Sequence, residues 1–135
     1  MEKKNCSIGT KSRTKGHNAE RNYAKVFREL GFTKCVTSRY GSRQHDDAAI
    51  DLINVPINIQ IKAGKQTAMK PEQVIFDMQT RIKDKFPLSY PEHHYPNIVI
   101  HRKDVVKGKR RTDLDEMVHL SFEDFQKLIK MIKWD

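Results

Sequence analysis

The chain has 135 residues, which is enough for one domain with a single hydrophobic core. Its 26 Lys and Arg residues against 17 Asp and Glu residues give a net charge of +9. This favours a polyanionic partner such as nucleic acid, although a merely basic surface gives the same count. No apolar run approaches the ~20 residues of a transmembrane helix, and no apolar stretch follows the polar N-terminus, so we expect neither a membrane span nor a secretory signal. Cys6 and Cys35 form neither a zinc set nor a CxxC motif, so we expect free thiols in the cytoplasm. No long basic amphipathic helix stands out, so we expect no membrane partner.

A basic arm and a helix are predicted first. Residues 1–15 are polar and lack periodicity, so we expect a flexible arm before a single domain at residues 16–135. Helical spacing predicts a helix over residues 16–31, with Asn18 as N-cap, Gly31 as the glycine that ends it, and the apolar stripe Ala19, Tyr23, Val26, Phe27 and Leu30. Glu20 lies on the margin of this stripe. There a carboxylate can face a cleft beside the core, or simply suit the helix dipole.

A β-hairpin is predicted near the middle of the chain, after a short strand at residues 33–38 and a polar loop at 39–47. Three isoleucines alternate with three polar residues, which predicts one buried face and one polar face: Ile57, Ile59 and Ile61 against Asn58, Gln60 and Lys62. If residues 55–56 form a two-residue turn, Asp51 lies opposite Gln60, and opposed Cβ atoms are roughly 5 Å apart.

The polar face of this hairpin has the side chains to hold a cation beside a phosphate. Oxygens of Asp51 and Gln60 can share a hard cation such as Mg²⁺, which prefers oxygen ligands and keeps several waters. Lys62, two residues further along, can contact an attacking water or a phosphate. An ordinary amphipathic hairpin with its polar side toward water is the alternative interpretation.

The later segments complete an α/β pattern. They are a helix over residues 71–86, a Pro/Tyr/His loop over 87–96, a strand over 97–102, a basic turn over 107–111, a strand over 117–120 and a final helix. Ser121 followed by Asp124 resembles a capping box at the start of that helix. We expect a small mixed α/β fold in which helices flank a central sheet.

Four short motifs in order resemble the archaeal-type Holliday junction resolvases of the PD-(D/E)xK nuclease superfamily. They are Lys-Gly-x-x-x-Glu-Arg at residues 15–21, Arg-Tyr-Gly-Ser at 39–42, Ile-Asp-Leu-Ile at 50–53 and Ile-Gln-Ile-Lys at 59–62. The resemblance covers residues 15–65 well and the remainder only in element order. Phage-encoded members of such families look similar, and a phage protein would act in the host cytoplasm. The fold it implies is a PD-(D/E)xK nuclease-like mixed β-sheet flanked by helices.

The resemblance implies a metal-dependent, structure-selective DNA endonuclease that cuts four-way junctions as a homodimer. Glu20 and Asp51 would bind Mg²⁺ or Mn²⁺ together with Gln60, and Lys62 would be the catalytic lysine. Arg39 and Ser42 fall where the family has an arginine and a serine near the scissile phosphate. The expected DNA contacts include residues of the basic cluster at 11–15. They are Lys11, Arg13, Lys15, Arg21, Arg39, Tyr40, Ser42, Arg43 and Lys65.

Two departures from the family pattern concern the metal ligands. The family usually has a glutamate where this chain has Gln60, whose amide oxygen can ligate but brings no charge. The segment between the serine and Asp51 also contains Asp46 and Asp47, either of which could add a ligand or take the place of Asp51. Asp51 is favoured because apolar residues flank it on a strand.

Other interpretations remain open at this point. The chain could be a PD-(D/E)xK endonuclease of restriction, homing or repair type, or a DNA-binding module without catalysis. His93 and His94 resemble a metal pair, although adjacent histidines in such a loop usually face solvent. Tyr40 could stack on unpaired bases, as could Tyr90 and Tyr95. Trp134 would pack on the last helix or at a dimer contact.

Overall fold

The computed structural model describes residues 8–64, 69–105 and 107–133, and side chains from residue 14 onward. Its centre is a five-stranded sheet in the order β1–β2–β3–β4–β5, with strands Val36–Thr37, Leu52–Ile53, Asn58–Gly64, Asn97–Lys103 and Glu116–His119. The α-helices are α1 (Ile8–Glu29), α2 (Ser38–Gly41), α3 (Arg43–Asp47), α4 (Pro71–Lys85) and α5 (Phe122–Met131), and 3₁₀ turns lie at Pro91–His93 and Asp113–Asp115. The fold is mixed α/β, as the sequence predicts.

The sheet is mixed because one connection is a crossover. β3 and β4 are parallel, paired from Asn58 with Asn97 to Gly64 with Lys103, and α4 returns the chain between them. The other three neighbouring pairs are antiparallel. The paired strands β3 and β4 are therefore the centre of the domain, and β3 carries Gln60 and Lys62.

Helices cover both faces of β3 and β4. Ile98 and Ile100 pack toward α1, together with Ile59 and Ile61 of β3. Val99, between them in sequence, packs toward α4 against Ile75, Met78, Ile82 and Phe86. Because successive side chains of a strand point to opposite faces, this apolar run is buried on both sides. Each such buried side chain contributes about 1.5–3 kcal/mol of hydrophobic stabilisation.

The predicted start of α1 is wrong. The helix begins at Ile8, so Asn18 lies in its interior and part of the predicted flexible arm is helical. Between Gly9 and Gly16 only Ser, Thr, Lys and Arg occur, and none of these stops a helix. Residues 1–7 lie outside the described part of the chain. Two residues of the predicted stripe, Val26 and Leu30, are exposed.

The predicted end of α1 is confirmed. Gly31 has a φ of +117°, which residues other than glycine rarely adopt. The N–H of Gly31 donates to the carbonyl of Arg28, and the N–H of Phe32 donates to that of Phe27 over 3.0 Å. These two bonds form a Schellman motif that satisfies the last carbonyls of the helix.

The segment between α1 and β2 differs most from prediction. The strand expected over residues 33–38 is only Val36–Thr37, and the polar loop expected over 39–47 contains α2 and α3. Short helices of four and five residues lack a long apolar stripe, so periodicity cannot identify them. Cys35 precedes β1 and is fully buried, where the desolvation of the thiolate raises the pKa of its thiol.

The C-terminal elements follow the prediction within one or two residues. Ser121 caps α5, accepting from the N–H of Asp124 over 3.0 Å. The Asp124 carboxylate accepts from the N–H of Asn97 instead of closing a capping box. Phe122 and Phe125 on α5 are exposed, and Trp134 lies outside the described residues. Within residues 8–64, 69–105 and 107–133, no helix combines the length and apolar character needed to cross a membrane.

Candidate active site

Glu20 is a buried carboxylate that faces the sheet from α1. Only 5% of the residue is exposed. Its Oε2 accepts from the Nε of Arg39 over 3.0 Å. This bond connects α1, which packs on the sheet, to the short helix α2. This bond raises the pKa of the Arg39 guanidinium, and the carboxylates of Asp46 and Asp51 add smaller effects. Glu20 is therefore a buried carboxylate held by one cation, and its position beside a cleft stays a prediction.

Asp51 binds the backbone of β3 on both sides of Gln60. Its N–H donates to the carbonyl of Ile59 over 2.7 Å, and its Oδ2 accepts from the N–H of Ile61 over 2.7 Å. The pairing of Leu52 with Ile59 is the register that sets Asp51 against Gln60, as the sequence predicts. The turn is wider than predicted, because residues 54–57 form it without a ladder pair between Asn54 and Ile57.

The surroundings of Asp51 disfavour its charge. Burial raises its pKa to about 7, and the neighbouring Glu20 carboxylate adds to that effect. The bond from Ile61 and the charges of Lys62 and Arg39 act in the opposite direction. Glu20, Arg39 and Lys62 therefore all lie within electrostatic range of Asp51. A cation bound between two carboxylates that repel each other in this way would offset their repulsion.

Gln60 carries a polar atom that lacks a partner. Its Oε1 is buried, and no hydrogen bond to it exists within the described residues. A buried carbonyl-type oxygen without a donor costs about 1–3 kcal/mol. A hard cation supplies what this oxygen lacks, since amide oxygens are ligands for Mg²⁺ and Ca²⁺. Two carboxylates and one amide oxygen are donor types that a divalent cation accepts, with water at the other positions.

The polar face of β3 runs from the interior to solvent. Asn58 is 1% exposed, Gln60 is partly buried and Lys62 is exposed. Asn58 donates through Nδ2 to the carbonyl of Glu92 and to Oδ1 of Asn97, both over 2.8 Å. The inner half of this face is thus a fixed scaffold, and the outer half presents an ammonium group at the surface.

The two other aspartates differ in their surroundings from Asp51. Asp47 is exposed and pairs with Arg43 over 3.8 Å on the outer surface of α3. Asp46 lies within electrostatic range of Arg39 but not in the Glu20–Arg39 hydrogen bond. Across the described ranges, no group of three or more His, Cys, Asp or Glu side chains is arranged to hold a metal ion. The third protein oxygen of the candidate site would therefore be that of Gln60.

The side chain of Ser42 bonds to His45 and not to the carboxylate of Glu20 or Asp51. It caps α3, accepting from the N–H of His45 over 3.3 Å, and its Oγ is 2.6 Å from Nδ1 of His45. Its N–H donates to the carbonyl of Ser38, whose own N–H donates to the carbonyl of Asp51. The serine is thus tied to Asp51 through the backbone of α2.

The other predicted DNA contacts have varied surroundings. Tyr40 is 86% exposed and Arg43 is also at the surface. Arg21 is exposed and donates to Oδ1 of Asn18. Lys15 forms an ion pair with Asp104, which occupies the ammonium group. The side chains of Lys11 and Arg13, together with all of Lys65, lie outside the described part of the chain.

The two adjacent histidines have different surroundings. Nε2 of His93 donates to the carbonyl of Phe86 over 2.8 Å, which fixes the ring in the fold. His94, the residue that ends the 3₁₀ turn, is exposed. Tyr90 packs against the ring of Phe86, with the centroids 5.7 Å apart, and Tyr95 is partly buried. Tyr40 is therefore the best exposed of these tyrosines.

Two histidines near the site were not predicted. His17 lies one turn before Glu20 on α1, and its buried Nε2 has no hydrogen bond within the described residues. The spacing of three residues from Glu20 was the available signal. His101 pairs with Lys62 across the parallel ladder. Burial lowers the pKa of His101, and the charges of His119 and Lys103 lower it further. No sequence motif marks His101, because its neighbour on the sheet is 39 positions away.

Comparisons of the chain with protein-family models, with curated proteins and with solved structures found no match.

Proposed function

We propose that the protein is a divalent-metal-dependent DNA endonuclease with a PD-(D/E)xK-type site, and that its substrate is a four-way junction. The observation that carries the proposal is Asp51, which binds the backbone on both sides of Gln60 and lies within electrostatic range of Glu20 and Lys62. Phosphodiester hydrolysis with a metal ion uses groups of this kind: three oxygen ligands, an ammonium group and a guanidinium group. The net charge of +9 supports a polyanionic substrate.

Each side chain has a role in this mechanism. Glu20, Asp51 and Gln60 would hold Mg²⁺ or Mn²⁺, which when bound polarises the attacking water and offsets charge on the phosphate. Lys62 would orient that water or stabilise the extra charge of the transition state. Arg39, whose side chain is 45% exposed, would direct its remaining N–H groups to a phosphate oxygen.

The choice of a four-way junction rests on the sequence resemblance. A homodimer places two such sites about a two-fold axis, which matches the symmetry of a junction. The alternative within the same chemistry is an endonuclease for linear or damaged duplex. The alternative outside it is a module that binds DNA without cutting.

The test is cleavage of a synthetic four-way junction and of a matched linear duplex, with Mg²⁺, Mn²⁺ or EDTA. We expect metal-dependent cutting of the junction, lowered at least about 100-fold by Asp51→Asn and by Lys62→Ala, with DNA binding retained. The matched control is Asp77→Asn, which removes an exposed ion pair with Arg81 on α4.

The outcomes separate the alternatives. Equal cutting of duplex and junction would assign the other endonuclease class. Salt-sensitive binding without cutting in any metal would assign a non-catalytic module. Undiminished cleavage by Asp51→Asn would contradict the proposed site itself.

A further inference from the structure

A partly buried hydrogen-bonded chain joins Ser42 to a glutamate far away in sequence. Oγ of Ser42 is 2.6 Å from Nδ1 of His45, and Nε2 of His45 is 3.0 Å from Oε1 of Glu92. The side chains of His45 and Glu92 are 20% and 12% exposed. The sequence gives no sign of this chain, because 47 positions separate the histidine from the glutamate.

The partners fix the direction of each hydrogen bond when His45 is neutral. The ionised Glu92 carboxylate can only accept, so Nε2 of His45 carries the proton and donates it. Nδ1 is then an acceptor, and the hydroxyl of Ser42 donates to it. The same oxygen accepts the N–H of His45 over 3.3 Å. Ser42 therefore has its hydrogen fixed and retains one lone pair, whose direction is set.

The scaffold holds both ends of this chain close to the candidate site. Asn58, two residues before Gln60 on β3, donates to the carbonyl of Glu92. The ring of Phe86 lies edge-on to that of His45, with the centroids 4.9 Å apart. At the other end, the backbone of Ser42 connects through Ser38 to that of Asp51. Movement of Ser42 relative to Asp51 is thereby restricted on two sides.

We propose that His45 and Glu92 are positioning residues that act through Ser42. They orient its hydroxyl so that the remaining lone pair accepts a hydrogen bond from the water that attacks the phosphate. Ser42 then contributes to the chemical step more than to DNA affinity. The inference rests on the proposed function, and it adds two residues that the motifs do not contain.

The test is a double-mutant cycle on junction cleavage with Ser42→Ala, Glu92→Ala and the two combined. If Glu92 acts through Ser42, each single change lowers kcat about 10-fold with KM little changed, and the double variant is no slower than Ser42→Ala. His45→Ala should behave in the same way in its own cycle. Glu92→Gln, which keeps the shape and an acceptor oxygen, should restore part of the rate if the larger change disturbs folding.

The outcomes of the cycle are distinguishable. Multiplied losses of about 100-fold in the double variant, or a Glu92→Ala enzyme of full activity, would overturn the role of His45 and Glu92 while the nuclease assignment stands. Failure of the unmodified protein to cut any DNA would overturn the proposed function and the role of Ser42 with it.

Nitrogen-15 NMR of His45 in the free protein checks the arrangement independently. We expect the Nε2–H tautomer, and a mixture of tautomers in Glu92→Ala would support it, whereas a proton on Nδ1 in the unmodified protein would contradict the chain.

Discussion

Arg39 donates a hydrogen bond of 3.0 Å from Nε to Oε2 of Glu20, joining a half-exposed cation to a carboxylate that is 7% exposed. The pair has two consequences. It compensates a buried charge when no cation is bound, and it leaves the outer edge of the guanidinium free to meet a phosphate. A metal ion at Glu20 and the guanidinium of Arg39 would therefore share one carboxylate.

Removing the guanidinium should harm stability and activity by separable routes. In Arg39→Ala, Glu20 stays buried without its partner, so we expect a loss of about 1–3 kcal/mol in the free energy of unfolding measured with urea in EDTA. The double variant Glu20→Gln/Arg39→Ala should recover most of that loss, because no uncompensated charge is left. The cleavage rate of both variants should stay at least about 10-fold below that of the unmodified protein, because both lack the guanidinium that contacts the phosphate. A double variant as unstable as Arg39→Ala would contradict the charge explanation.

Asp51 should make the metal-free protein less stable as the pH rises. Its pKa is about 7 in the folded protein against an ordinary 3.8, so the folded state holds this proton more tightly than the unfolded chain does. The resulting stabilisation is complete below the unfolded pKa and is lost as the pH rises through about 7. We expect the free energy of unfolding in EDTA to fall by about 1–3 kcal/mol between pH 5 and pH 8 from this group.

The matched variant is Asp51→Asn, which keeps an oxygen for the N–H of Ile61 and cannot ionise. Its stability should lack this fall. Addition of Mg²⁺ at pH 8 should raise the melting temperature of the unmodified protein and leave that of Asp51→Asn unchanged. Parallel stability curves for the two proteins from pH 5 to pH 8 would show that Asp51 is not the group responsible.

A methyl group at Gly41 should lower stability, whereas one at Gly16 should not. A Cβ at Gly41 would lie 2.5 Å from Cδ1 of Ile53 and 3.3 Å from Cγ2 of Val36, so those side chains must move. We expect Gly41→Ala to cost about 1–3 kcal/mol by urea unfolding. At Gly16, inside α1, a Cβ meets nothing within 4 Å. Gly16→Ala should stabilise the helix by about 0.5–1 kcal/mol, and equal effects of the two changes would contradict the packing argument.

Alternation and turn chemistry make the central elements predictable. The isoleucines of β3 identify their buried face, and the position of the turn gives the register that sets Asp51 against Gln60. Gly31 marks the end of α1 because its φ is positive. These features depend on neighbours within a few residues, which a sequence shows directly.

The parts that escape prediction depend on contacts between distant segments. The partner of Glu20 is 19 positions away on a helix too short to show periodicity. The partner of Ser42 leads on to Glu92 through a histidine, and His101 reaches Lys62 only because β3 and β4 are parallel. Local patterns contain no information on such pairs, so the sequence indicates candidate ligands but not the groups that hold those side chains.

Gln60 is the residue at which a single added charge tests the candidate metal site. In Gln60→Glu a third carboxylate would join Glu20 and Asp51, and mutual repulsion would raise the cost of leaving the site without a cation. We expect the melting temperature in EDTA to fall by a few degrees and the rise on adding Mg²⁺ to increase. The Mg²⁺ concentration for half-maximal cleavage should fall about 10-fold, because ligand charge strengthens binding of a hard cation. Gln60→Ala, the matched loss, should weaken Mg²⁺ binding measured by calorimetry. The stability and cleavage of Gln60→Glu could instead respond to Mg²⁺ as those of the unmodified protein do. That result would show that the unpaired Oε1 of Gln60 does not contact a metal ion.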